Sequence, residues 1–172
     1  MPKKEAATKS SVKAKQGETR LKPAKSYISP QISLATVDRG FARADLEFDG
    51  VDHSGVSFEA RVFINNPKAN ERTPTTSRNG YAGSFHIFGH GGCFGDLGHC
   101  EIRGLPRLYD PRTAHPLTPA RKVLIATESV RQALRHGKSM TVTVVPVVTS
   151  GTSRCDFENV LKFDRVSLVT YI

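Results

Sequence analysis

Two stretches of strict two-residue alternation constrain this chain most. From Ala42 to Phe48, Ala42, Ala44, Leu46 and Phe48 fall on one side of the register and Arg43, Asp45 and Glu47 on the other. From Ser57 to Ile64, Phe58, Ala60, Val62 and Ile64 oppose Ser57, Glu59, Arg61 and Phe63. A period of two belongs to extended strands with one face on a core. Gly50 and the cluster Asp52, His53, Ser54 and Gly55 carry turn chemistry between them, so the pair is expected to form a hairpin.

The rest of the chain extends this pattern. Residues 81–88 read as an aromatic-rich strand, 121–127 and 166–171 as further strands, and 140–148 as a buried strand of β-branched residues; 32–36 give a weaker signal. One short helix is expected over 128–136, where Val130, Ala133 and Leu134 share a face and Gly137 follows as a stop. Residues 66–80 read as a polar loop and 149–153 as a turn. Residues 103–119 hold Pro106, Pro111, Pro116 and Pro119, a density that leaves a long covering loop and no regular element. Strands dominate. The predicted fold class is mainly β, an antiparallel, jelly-roll-like β-sandwich with one short helix, over residues 29–172.

Residues 1–28 are expected to form a disordered Lys-rich tail. Up to Tyr27 they hold eight basic residues against Glu5 and Glu18, a net +6 of the whole chain's +9. Too few apolar side chains are present there to offset the entropy of ordering. The tail has no apolar stretch of the secretory type. It reads first as a solubilising extension and second as an arm for nucleic acid or another polyanion, a weaker reading because no aromatics interleave the charges. No run approaches the roughly 20 apolar residues of a membrane span. With three cysteines and no export signal, the expected setting is a reducing cytoplasm.

One segment is dense in reactive side chains. His86, His90, Cys93, Asp96, His99 and Cys100 lie within fifteen residues, among glycines at 89, 91, 92, 95 and 98 that permit tight turns. Three readings stand side by side. The side chains are structural, as buried thiols and backbone-bonded imidazoles. Or Cys93 and Cys100 form a disulfide, worth about 2.5 kcal/mol by chain entropy. Or His90, Cys93, His99 and Cys100 hold copper or zinc, which suit thiolate and imidazole, although the spacing matches no standard zinc module. A nucleophilic Cys93 with His90 or His99 and Asp96 is possible on paper, but nothing in the spacing selects it. There is no Gly-x-Ser-x-Gly elbow and no phosphate-binding glycine loop. No catalytic residue is nominated, and the chain is expected not to be an enzyme. Ser57, Ser84, His53, His115 and His136 read as ordinary surface or turn residues.

Four runs taken in order carry a resemblance. They are ARVFINNP at 60–67, YAGSFHIFGH at 81–90, KVLIATESVRQAL at 122–134 and MTVTVVP at 140–146. Together they resemble the C-terminal β-sandwich domain of the tyrosinase, polyphenol oxidase and haemocyanin family, over roughly residues 32–172. That family oxidises phenols or carries oxygen with two copper ions, each held by three histidines of a separate helical domain. No paired helical histidines occur here, so no copper ligand carries over. The resemblance implies a non-catalytic accessory or shielding domain. Its partner would be a type-3 copper oxidase, tyrosinase-like, or a second copy of itself, with contacts through residues 89–100 and 103–119 and some role in copper handling. The rival readings are polyanion binding through the tail and a structural protein that self-associates by its sheet edges.

Overall fold

The computed structural model describes residues 24–91, 116–148 and 158–172. The elements in order are β1 (Tyr27–Ile28), β2 (Ile32–Ser33), β3 (Arg43–Val51), β4 (Phe58–Ile64), β5 (Tyr81–Ile87), β6 (Ala120–Ile125), α1 (Thr127–His136), β7 (Ser139–Met140), β8 (Val142–Val147) and β9 (Arg165–Tyr171). They make an antiparallel, mainly β fold of three sheets, ordered β1-β8-β4-β5, β6-β3-β9 and the small β2-β7 pair.

One hydrophobic cluster joins the two larger sheets. Ala44, Leu46 and Phe48 of β3 enter it from one sheet, and Phe58, Ala60, Val62, Phe85, Val142 and Val144 from the other. The Phe48 and Phe85 rings meet at 4.9 Å between centroids. The alternation read from the sequence therefore buries the side it assigned. β8 is covered on both faces. Val142 and Val144 look into this cluster, while Val145 packs with Phe63 and Ala69 in a second one. Ala69 comes from the connection 65–80, so that polar stretch caps the outer face of β8 and β4. Pro146 sits in β8 beyond the two residues that β1 accompanies, where proline costs the ladder least.

The expected hairpin of β3 and β4 is corrected. β3 pairs with β6 and β9, and β4 pairs with β5 and β8. Both strands have an apolar face, and both faces are satisfied by sharing one core from opposite sides. The six residues from 52 to 57 cross between the sheets, after a register shift between Phe48 and Val51 at Gly50, whose φ is +69°. A longer connection of this kind lacks the two-residue turn that would hold neighbours side by side.

The boundary with the tail also moves. Tyr27 and Ile28, placed in the tail by the sequence reading, form β1 opposite Val144 and Thr143. The Tyr27 ring packs edge-on against Phe163 at 4.6 Å. Two residues are too short for periodicity to show. The remaining expectation of a disordered tail, residues 1–23, lies outside the described residues.

The helix forms where expected. Val130 and Ala133 are buried and Leu134 half-buried. Its start is tied to β3, since Ala126 N–H donates to Ala44 O and Thr127 Oγ1 accepts from Ala44 N–H. Arg131 donates to Phe41 O and lies over the Phe41 ring.

Candidate functional site

β5 delivers Phe88, Gly89 and His90 alongside the crossing segment that ends β3. Gly89 N–H donates to Ser57 Oγ at 3.0 Å, His90 N–H to His53 O at 3.0 Å and Gly91 N–H to Gly55 O at 2.7 Å. The two backbones approach so closely that a Cβ on Gly89 would lie 2.2 Å from Gly55 O. These rungs set His53 beside His90. Their Nδ1 atoms are 3.3 Å apart, and the ring centroids 5.1 Å at an interplanar angle of 59°.

The tautomers follow from the surroundings. His53 Nε2 lies 2.7 Å from Thr118 O. A carbonyl only accepts, so Nε2 carries the proton and Nδ1 of neutral His53 presents a lone pair. His90 Nδ1–H then donates across the gap, with His53 O at 3.3 Å as a further acceptor. Asp52 stands next in the chain. Burial pushes its carboxyl up, but the amide and hydroxyl of Ser54, with Lys162 and His53 nearby, more than offset this and leave it below the usual carboxylate range.

Of the four side chains nominated for metal, His90 is at this junction. Cys93, His99 and Cys100 lie outside the described residues, as do Asp96, His115 and the Cys93–Cys100 disulfide reading. His53 was read as an ordinary turn residue; the structure puts it against His90. Thirty-seven positions separate the two, and only the β4–β5 register, with Phe58 opposite Ile87, brings 53–57 next to 89–91. Among the described residues no group of three His, Cys, Asp or Glu side chains is placed to hold a metal. A two-copper centre of the oxidase type does not fit them: α1 is their one α-helix, and its one histidine, His136, sits at its end.

Two other surfaces complete the picture. A cleft of about 260 Å³ runs between α1 and the 65–80 connection, lined by Asn65, Asn66, Arg78, Gln132 and His136 among others. Among the described residues no carboxylate or thiol lines it. The second surface is the outward face of β6-β3-β9. Asp45, Glu47 and Asp49 run down the middle strand, with Ile125 and Val169 beside Asp45 and Val123 and Ser167 beside Glu47. Each carboxylate is met by an arginine of the same face: Arg43 on Asp45, Arg121 on Glu47, Arg165 on Asp49. Val123, Ile125 and Tyr171 are 47%, 60% and 45% exposed.

Among the described residues no helix is long and apolar enough to cross a membrane. No family profile matches the chain, and no curated protein sequence does. Solved structures to which the chain is similar include a recombinant latent aurone synthase, a polyphenol oxidase, crystallised with hexatungstotellurate. It is 18% identical, at a TM-score of 0.49 over 87% of this chain and 25% of its own. Latent aurone synthase from its natural source is 18% identical, at a TM-score of 0.48 over 94% of this chain and 28% of its own. The chain thus spans about a quarter of the length of the structures it matches.

Proposed function

We propose that this chain is a non-catalytic accessory domain that docks through the outer face of β6-β3-β9 onto a larger partner. The partner class is the type-3 copper oxidase named by the sequence resemblance, and the role is to cover the entrance to its copper site. The observation that carries the docking face is the exposed trio Val123, Ile125 and Tyr171 set against carboxylates already neutralised by neighbouring arginines. Charges paired within one face need no partner charge when water is excluded, which lowers the desolvation penalty of an interface. Exposed apolar side chains with a tyrosine and arginines at hand match the make-up of interface cores.

The test uses a polyphenol oxidase catalytic domain freed of its own C-terminal domain. Titrating the full chain into it while following diphenol oxidation is expected to give a saturable loss of rate. Ile125→Lys removes that loss. Unchanged oxidation at a large excess of the chain, with no complex on gel filtration, overturns the proposal. A homodimer disrupted by Ile125→Lys, with oxidation unchanged, also overturns it and assigns the face to a second copy.

A further inference from the structure

We infer that His53 and His90 are two ligands of a metal site that binds a tetrahedral d10 ion, zinc or cuprous copper, through Nδ1 of both rings. The inference is independent of the docking face, which lies on the other sheet's surface.

Three observations converge on it. The first is span. Two imidazoles on one tetrahedral ion, with metal–nitrogen bonds of about 2.05 Å, hold their nitrogens about 3.3 Å apart and their ring centres about 5.2 Å apart. The pair stands at 3.3 Å and 5.1 Å. Rings facing each other head-on at the same nitrogen distance would have centres farther apart, so the two rings are inclined and not collinear.

The second is the support of His53. Ligating histidines commonly donate their other ring N–H to a backbone carbonyl, which fixes the tautomer and raises the basicity of the ligating nitrogen. His53 Nε2–H on Thr118 O, at 2.7 Å, is that arrangement, and it aims Nδ1 at His90. The third is the rigidity of the junction. The rungs from Gly89, His90 and Gly91 to Ser57, His53 and Gly55 hold both backbones in place before any ion arrives. A site ordered in advance keeps more of its binding free energy.

Coordination asks for one proton rearrangement. In the metal-free pair the Nδ1 proton is on His90; on binding it leaves Nδ1 and neutral His90 carries its proton on Nε2 instead. Asp52 is a poor third ligand, because Ser54 N–H and Lys162 already hold its oxygens. The remaining coordination positions are left to water or other donors. Imidazole nitrogen suits both zinc and copper, whereas calcium and magnesium prefer oxygen.

The experiment is a titration of the full chain with Zn(II) and, separately and without air, with Cu(I) against a chromophoric chelator. Long-range proton–nitrogen NMR follows the histidine rings. The expected result is one ion per chain for at least one of the two metals. Nδ1 of His53 and His90 shift together, while His53 Nε2 keeps its proton. His53→Ala and His53→Gln each weaken binding by about tenfold or more, and His136→Ala leaves it unchanged. Undiminished binding in both His53 variants, nitrogen shifts confined to other histidines, or no binding of either ion overturns the site. The NMR measurement on the unaltered chain decides the matter even if a His53 variant folds poorly.

Discussion

Arg43 grips both carboxylate oxygens of Asp45 from two positions away on the same strand, Nε to Oδ1 at 2.8 Å and Nη2 to Oδ2 at 2.7 Å. The pair is lopsided. The Asp45 side chain is 1% exposed and that of Arg43 49%. The hydrogen bonds that Arg43 donates to Asp45 hold its guanidinium protonated more firmly than usual; they outweigh burial, which acts the other way, and the charge of Asp45 adds to them. Removing Arg43 strands a buried carboxylate, whereas removing the charge of Asp45 leaves an arginine that water can reach. Arg43→Ala is therefore expected to lower the urea midpoint more than Asp45→Asn, and Asp45→Asn added to Arg43→Ala should recover part of the loss. Equal effects of the two single changes would count against this asymmetry.

Thr143 is fully buried on β8, and its Oγ1 has no hydrogen-bond partner among the described residues. Valine has the same shape without the unmet hydroxyl. Thr143→Val should stabilise the fold by about 1 kcal/mol, since a buried polar group without a partner loses its hydration for nothing in return. Equilibrium unfolding in urea measures it; a lower midpoint would mean that the hydroxyl is satisfied in solution.

How much of this was legible in the sequence depends on the range of the interaction. Strands with alternating faces, such as β3 and β4, and the helix with Val130 and Ala133 on one face, are local patterns and were read correctly. Pairing is not local. Asp52 to Gly55 looks like a hairpin turn, yet the segment crosses between sheets, because the cores of β3 and β4 are completed by β6, β9, β5 and β8 from far along the chain. The candidate site divides the same way. His90 stood out by density. His53 sits alone in the sequence, and its role depends on a register that no spacing reveals.

Gly89 and Gly55 face each other across that junction but differ in surroundings. A Cβ on Gly89 would lie 2.2 Å from Gly55 O and 2.4 Å from Val56 C, while one on Gly55 meets nothing within 4 Å. Backbone atoms cannot turn aside as a side-chain end can. Gly89→Ala should cost about 1–3 kcal/mol and push 89–91 away from 53–57. Gly55→Ala should cost much less. If His53 and His90 bind metal, the first change weakens zinc or cuprous binding and the second does not; calorimetry on both variants checks the contrast.

Asp52 and Glu59 give the fold an acid limit. Burial raises Glu59, but hydrogen bonds from Arg61 and Ser84, and the charges of Arg61 and His86, lower it more, so its net position, like that of Asp52, is below the ordinary value. A carboxyl depressed in the folded state stabilises it fully above the unfolded value and ceases to do so as pH falls through the folded value. The contribution is thus present above about pH 4.5 and lost progressively below it. Asp52→Asn and Glu59→Gln should each flatten the fall in urea midpoint between about pH 5 and pH 2. An unchanged slope in both variants would place the acid limit elsewhere.

The docking face can be tested without disturbing the fold, because of what lies across each strand. Ile125 stands opposite Asp45 and Val123 opposite Glu47. A carboxylate introduced at either position would face a like charge and destabilise the sheet, which would confuse loss of docking with loss of structure. Lysine faces an opposite charge, keeps a long apolar stem on the sheet and puts its ammonium into water. Val123→Lys with Ile125→Lys should therefore leave the unfolding midpoint within about 0.5 kcal/mol of the parent while removing two of the three exposed apolar side chains. If this face packs on a copper oxidase, the double variant loses at least tenfold in its inhibition of diphenol oxidation. Phe88, 81% exposed on the edge of the other sheet, supplies the control: Phe88→Ser should leave inhibition intact. The reverse outcome, with Phe88→Ser releasing the partner and the lysine pair not, would move the contact to the end of β5.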